Sequence, residues 1–140
     1  MKRKASAQWK GNLKEGKGTF SAESGVLSNV PYSFARRFEN EPGTNPEELI
    51  AAAHASCFAM ALSGELGKLG LTADSLDSTA TVTLEKTDAG FTVVESHLEV
   101  IGKVPSADAA KWQQATENAR KGCPISRLLN TKITLDARLA

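Results

Sequence analysis

The sequence predicts an α+β fold with a mainly antiparallel sheet, on three observations. Short β-type stretches broken by glycine fill the first part of the chain, one long Ala-rich apolar segment fills the middle, and strand, helix and strand patterns follow in that order. The 140 residues, 41% hydrophobic and 24% charged, suit one soluble globular domain over 1–140. A formal net charge of +1 gives no electrostatic excess that would draw the protein onto nucleic acid or an anionic membrane, so neither is expected as a partner. Small, weakly charged substrates fit better.

From Ala5 to Arg37, stretches such as Ala7-Gln8-Trp9 and Gly18-Thr19-Phe20, separated by Gly11, Gly16 and Gly25, predict three antiparallel strands. A turn at Glu41-Pro42-Gly43 leads to the best helix start in the chain. Asn45 caps, Pro46 takes the first helical position, and Glu47 and Glu48 suit the positive end of the helix dipole. The helix is expected to run to about Gly67 or Gly70, apolar on nearly all sides, as befits one surrounded by protein. Its apolar run from Leu49 to Leu62 is 14 residues long and contains His54 and Ser56, too short and too polar to cross a bilayer.

Ser75 to Lys86 and Phe91 to Val104 alternate as strands joined at Asp88-Ala89-Gly90. Ser106 is expected to cap a polar helix reaching about Lys121 and ended by Gly122. Cys123-Pro124 then opens a short helix to about Leu129, and Thr131 to Leu139 closes as a strand. Met1-Lys2-Arg3-Lys4 is followed by polar residues instead of the apolar stretch of a secretory signal, which makes a cytoplasmic location the expectation.

There are two cysteines, Cys57 and Cys123, with no CxxC pair and no zinc spacing. In a reducing cytosol such residues are either inert core or chemically active. Cys57 lies inside the apolar helix, beyond the reach of that helix's own dipole, so it is either a small buried hydrophobe or a thiol activated by an outside cation. Cys123 stands at a helix start, either as a cap or packing residue or as a thiolate favoured by unpaired backbone N–H groups. The two can pair only if folding brings their Cα atoms within about 7 Å.

The string Gly43-Thr44-Asn45-Pro46-Glu47-Glu48-Leu49, followed by Ala51-Ala52-Ala53-His54-Ala55-Ser56-Cys57-Phe58, resembles the central helix of the OsmC/Ohr peroxide-resistance proteins. Gly122-Cys123-Pro124-Ile125-Ser126 is similar to their second cysteine site, and Trp9-Lys10-Gly11, Glu23-Ser24-Gly25-Val26-Leu27 and Ile133-Thr134-Leu135-Asp136 extend the likeness over nearly the whole chain. The resemblance implies an OsmC/Ohr-like fold, an intertwined homodimer with a long buried central helix. It also implies a peroxidase that reduces organic hydroperoxides, and hydrogen peroxide more weakly, as part of the oxidative and osmotic stress response. Cys57 would be the peroxidatic cysteine, Cys123 the resolving one that forms a disulfide with it, and Arg37, held by Glu47, the activating cation. Cys57, Cys123, Arg37 and Glu47 are thus the candidate catalytic residues. No cofactor or metal is implied; an external dithiol, lipoyl-type in some members, resets the enzyme. An arginine at this position looks more like the OsmC branch than the Ohr branch.

Arg36 competes with Arg37. On a third strand the two would face opposite ways, and one would point at the thiol. Glu47 and Cys57 are ten residues apart on one helix, about 15 Å along its axis at 1.5 Å per residue, which points to a site assembled from two chains. His54 is expected to serve helix packing or a hydrogen bond and His97 to be structural, while Arg120, Lys121 and Arg127 receive no role. Phe38, Phe58 and Met60 either line a pocket for an alkyl chain or belong to the core. Two other readings stand beside the enzyme: a non-enzymatic thiol redox sensor, and a small-molecule binding module whose cysteines only pack.

Overall fold

The computed structural model describes residues 1–140 and divides them into two compact units, Met1–Leu49 and Ile50–Ala140. In the first, β1 (Ala5–Lys10), β2 (Lys17–Ala22) and β3 (Val30–Ser33) form an antiparallel sheet in chain order, as the glycine-broken pattern predicts. Tyr32 lies across Gly18, where a Cβ would collide with its ring. Trp9 and Phe20 flank that ring at centroid distances of 5.4 and 5.8 Å. Glycine here is what lets one aromatic cross the middle strand.

The third strand stops at Ser33, and Arg36 and Arg37 stand instead on a short helix, α1 (Phe34–Phe38). Two local interactions override the strand pattern. The Ser33 hydroxyl accepts a hydrogen bond from the Arg36 backbone N–H at 3.2 Å, and Phe34 and Phe38, one turn apart, stack at 4.8 Å. The opposite-faces argument for the two arginines therefore does not apply. At the next helix, α2 (Pro46–Lys68), the Asn45 side chain accepts from the Glu48 N–H at 2.8 Å, with Glu47 and Glu48 in the first turn as expected.

In the second unit β4 (Ser75–Thr87) and β5 (Gly90–Lys103) form a long antiparallel hairpin with a register shift at Thr83/Leu84. β6 (Lys132–Leu139) completes the sheet in the order β4-β5-β6, but it runs parallel to β5. The helices α3 (Ala109–Gly122) and α4 (Pro124–Leu128) lie between β5 and β6 and serve as the crossover that a parallel pair requires. α3 is capped by Asp108, whose carboxylate accepts from the Lys111 N–H at 2.8 Å, and not by Ser106, which occupies a left-handed turn at φ 65°. The cap thus falls two residues later than the serine indicates.

His54, Phe58, Leu62 and Leu66, four residues apart along α2, form its buried stripe. The apolar members join Leu98 and Val100 of β5 and Trp112, Ala115 and Ala119 of α3 in one core. Each such leucine contributes about 1.5–3 kcal/mol by leaving water. The rest of α2 is less enclosed than its composition implies: Ala52, Ala53 and Ser56 are exposed, and Met60 is 80% exposed. At 23 residues α2 also meets the length and hydropathy of a bilayer span, because the helix extends beyond both ends of the apolar run. Its length therefore does not argue against a membrane. What marks it as a packing helix is the buried stripe, with a histidine hydrogen-bonded in its middle.

Candidate active site

α2 places Cys57 one turn after His54 and beside the buried stripe, half-buried, while Cys123 sits fully buried at the junction of α3 and α4. The Cys123 N–H bonds the Ala119 carbonyl at 2.9 Å, closing α3, and its carbonyl accepts from the Arg127 N–H at 3.0 Å, opening α4. Both cysteines are free, and they lie near enough for the Cys123 thiol to raise the pKa of Cys57. A separation of 66 positions in sequence thus ends with the two thiols as neighbours.

The Ile125 backbone N–H also bears on Cys57, lowering its pKa. Pro124 at the first position of α4 has no N–H, so Ile125 supplies that helix's first free donor. The helix start expected to favour a Cys123 thiolate therefore directs its N–H at Cys57; the Cys123 side chain makes no capping bond. Burial pushes the Cys57 thiol above its ordinary pKa, and the bond to Cys123 adds to this, while the Ile125 N–H pulls the other way. No cation is among these influences.

In the first unit Arg37 grips Glu47 with two nitrogens. Nε lies 3.1 and 3.2 Å from the two carboxylate oxygens and Nη2 lies 2.6 Å from Oε1. Arg37 is 38% exposed and its guanidinium also lies 5.1 Å from the centre of the Phe38 ring. Arg36 turns elsewhere, donating to the Pro31 carbonyl at 2.9 Å with Glu41 at 4.0 Å. Of the two arginines, only Arg37 carries a carboxylate clamp of fork geometry.

His54 is completely buried, with Nδ1 2.7 Å from the Ser96 hydroxyl of β5 and Nε2 2.8 Å from the Ser126 hydroxyl of α4. Its burial lowers its pKa. His97 bridges the β5–β6 pair through Thr134 at 2.6 Å and Asp136 at 3.5 Å. Arg120 and Lys121 are held by Glu117 of their own helix, and Arg120 also donates to the Ile133 carbonyl at 3.0 Å. Phe58 is core, Met60 is exposed, and Phe38 stacks on Phe34. A groove of about 1000 Å³ between α3 and β6 is lined by Trp112, Glu117, Arg120 and Leu135 and includes neither cysteine.

Sequence reasoning named both cysteines, Arg37 and Glu47, but not Ile125, Ser96 or Ser126. The Cys-Pro pair was a usable signal for Ile125, since proline leaves the next N–H as the first free donor. Nothing local marks the two serines.

The OsmC-like protein family model matches residues 38–138. The chain is 52% identical over 137 residues to the peroxiredoxin OsmC of Escherichia coli, covering 98% of this chain and 96% of that one. Among solved structures, the organic hydroperoxide resistance protein OhrB of Bacillus subtilis superposes with a TM-score of 0.72 at 25% identity, over 98% of both chains. An OsmC-like protein of Vibrio cholerae gives a TM-score of 0.77 at 18% identity, over 98% and 99% of the two chains, a likeness of fold. With its α+β architecture and both cysteine motifs in place, the chain belongs to the OsmC family.

Proposed function

We propose that this protein is a cysteine peroxidase that detoxifies organic hydroperoxides, and hydrogen peroxide more weakly, using Cys57 as nucleophile and Cys123 as resolving thiol. The observation that carries the reading is the proximity of two free thiols within one unit, close enough for one to shift the other's pKa. The names of its relatives, a peroxiredoxin and a hydroperoxide resistance protein, agree with it.

The Cys57 thiolate attacks one peroxide oxygen, and the O–O bond breaks. The other oxygen leaves as alkoxide and takes up a proton to give the alcohol, leaving a sulfenic acid on Cys57. Cys123 then attacks the Cys57 sulfur. The S–S bond forms, the S–O bond breaks, and the hydroxyl departs as water with the Cys123 thiol proton. An external dithiol, lipoyl-type among the candidates, reduces the disulfide, and no resident cofactor takes part in any step. The Ile125 N–H is one charge-stabilising donor at the sulfur, but burial raises the thiol pKa and a cation is needed. Arg37, oriented by Glu47, has the right chemistry: permanently charged, with a fork of donors for sulfur and peroxide.

Glu47 and Cys57 lie about 15 Å apart along α2. We therefore assign the carboxylate and the sulfur of one site to two copies of the chain, paired along the exposed, small-residue face of α2 that carries Ala52, Ala53, Ser56 and Met60.

Steady-state consumption of tert-butyl hydroperoxide, cumene hydroperoxide and hydrogen peroxide, with dihydrolipoyl and other dithiols, tests the proposal. Repeated turnover faster with the organic substrates is expected. Consumption of a single equivalent despite excess dithiol would make the protein a sensor, and oxidation without a Cys57–Cys123 linkage would leave a binding module.

A further inference from the structure

The neighbouring thiols of Cys57 and Cys123 are not all that joins α2 to the Cys123-α4 segment. His54 precedes Cys57 by three residues on α2, and Ser126 follows Cys123 by three on the Cys123-α4 segment. The His54–Ser126 hydrogen bond at 2.8 Å therefore runs beside the two neighbouring thiols, one turn along each segment. The other imidazole nitrogen is anchored on Ser96 of the central strand β5 at 2.7 Å. His54 is 0% exposed and Ser96 is 0% exposed, so the chain Ser96–His54–Ser126 has no water to replace a lost bond. In a neutral imidazole one nitrogen donates and the other accepts, and either serine hydroxyl can turn to match. By contrast α4 has only five residues and cannot hold a position through its own hydrogen bonds.

We propose that His54 is a positioning residue for the resolving step, fixing α4 on the sheet so that the Cys123 sulfur stays against Cys57. The role rests on the peroxidase reading and deepens it. A sulfenic acid on Cys57 is either captured by Cys123, forming S–S and releasing water, or as the sulfenate attacks a second hydroperoxide, whose O–O bond breaks to release the alcohol and leave a sulfinic acid. Holding α4 in place favours capture. Neither imidazole nitrogen is free to act as a base on sulfur, since both are occupied by serines.

Two measurements on the full-length protein test this in Ser126→Ala, Ser96→Ala, His54→Leu and His54→Gln. Redox equilibration of the Cys57–Cys123 disulfide against glutathione gives the effective concentration of the two thiols and needs no peroxide. Mass spectrometry after a tert-butyl hydroperoxide pulse gives the ratio of disulfide to Cys57 sulfinic acid. Ser126→Ala should lower both about tenfold and Ser96→Ala by less. His54→Gln, which keeps a donor and an acceptor, should lie nearer wild type than His54→Leu; a merely space-filling histidine would favour the leucine. Wild-type values for both quantities in folded Ser126→Ala would overturn the role of His54 even if the protein turns over hydroperoxide. A lowered effective concentration in a protein that consumes no hydroperoxide would keep the positioning role and sink the peroxidase reading instead.

Discussion

Arg37 and Glu47 meet in the Met1–Leu49 unit, whose strands leave nearly every side chain at least partly exposed and whose fully buried positions are Gly16 and Gly18. Cys57 and Cys123 meet in the Ile50–Ala140 unit, which contains the entire buried apolar core. The first environment lets a guanidinium stay hydrated while a carboxylate aims it. The second strips water from a thiol and pushes it toward its neutral form. A thiolate nucleophile uses a dry site to sharpen its interactions and a charge to ionise it. The proposed pairing of two copies would bring that charge to the dry site.

The bluntest way to break the comparison is to remove the sulfur. Cys57→Ser should reduce hydroperoxide consumption to the uncatalysed background, whereas Cys123→Ser should complete one oxidation and then accumulate sulfinic acid at Cys57. Retained turnover in Cys57→Ser would move the chemistry elsewhere. Next in size, the two units should differ in their sensitivity to truncation. Phe58→Ala in the dry core should cost about 3–5 kcal/mol in urea unfolding. Phe20→Ala on the half-exposed sheet should cost less, and equal losses would show that the first unit hides a core of its own.

Arg37→Ala should slow the first oxidation of Cys57 by about 10²–10³-fold, the scale of losing one charge-stabilising donor. The sign of its pH dependence follows from the chemistry. Burial raises the Cys57 pKa; in the proposed two-copy site Arg37 offsets this, so its loss should move half-maximal iodoacetamide alkylation of Cys57 to higher pH than in wild type. Arg36→Ala should leave the midpoint in place, because Arg36 is engaged with the Pro31 carbonyl and Glu41. The reverse ranking would pass the role to Arg36.

Much of this arrangement was legible where the signal is local. Asn45-Pro46 with its two glutamates announced α2, and Cys123-Pro124 announced α4, because caps and proline act within a few residues. Alternation marked the strands but carries no direction, so β6 could be placed but not its parallel pairing with β5. The five-residue α1 was hidden inside a β-like stretch, decided by one serine cap and one aromatic stack. Ser106 and Asp108 are both cap-forming residues, and only the loop path, with Ser106 at positive φ, chooses between them. At the site, motifs named the four candidate residues. The partners of His54 lie 42 and 72 residues away and exist only once α2, β5 and α4 have packed.

The smallest effect concerns a second arginine–carboxylate pair of nearly the same form. Arg120 holds Glu117 one turn back on α3, and Lys121 adds a contact at 3.2 Å. Arg120 first, then Lys121, pull the Glu117 carboxyl down to about 2. A folded-state pKa below the unfolded one means stability that is fully present above about 4.5 and lost as pH falls through about 2. Because Glu117 is 42% exposed, solvent screens the pair, and Glu117→Gln should cost less than about 1 kcal/mol at neutral pH. That cost should shrink steadily on acidification, as read from urea midpoints, while hydroperoxide turnover stays unaffected. If turnover fell instead, a pair assigned only to holding α3 and β6 together would belong to the chemistry, and like geometry in the two units would mean like function after all.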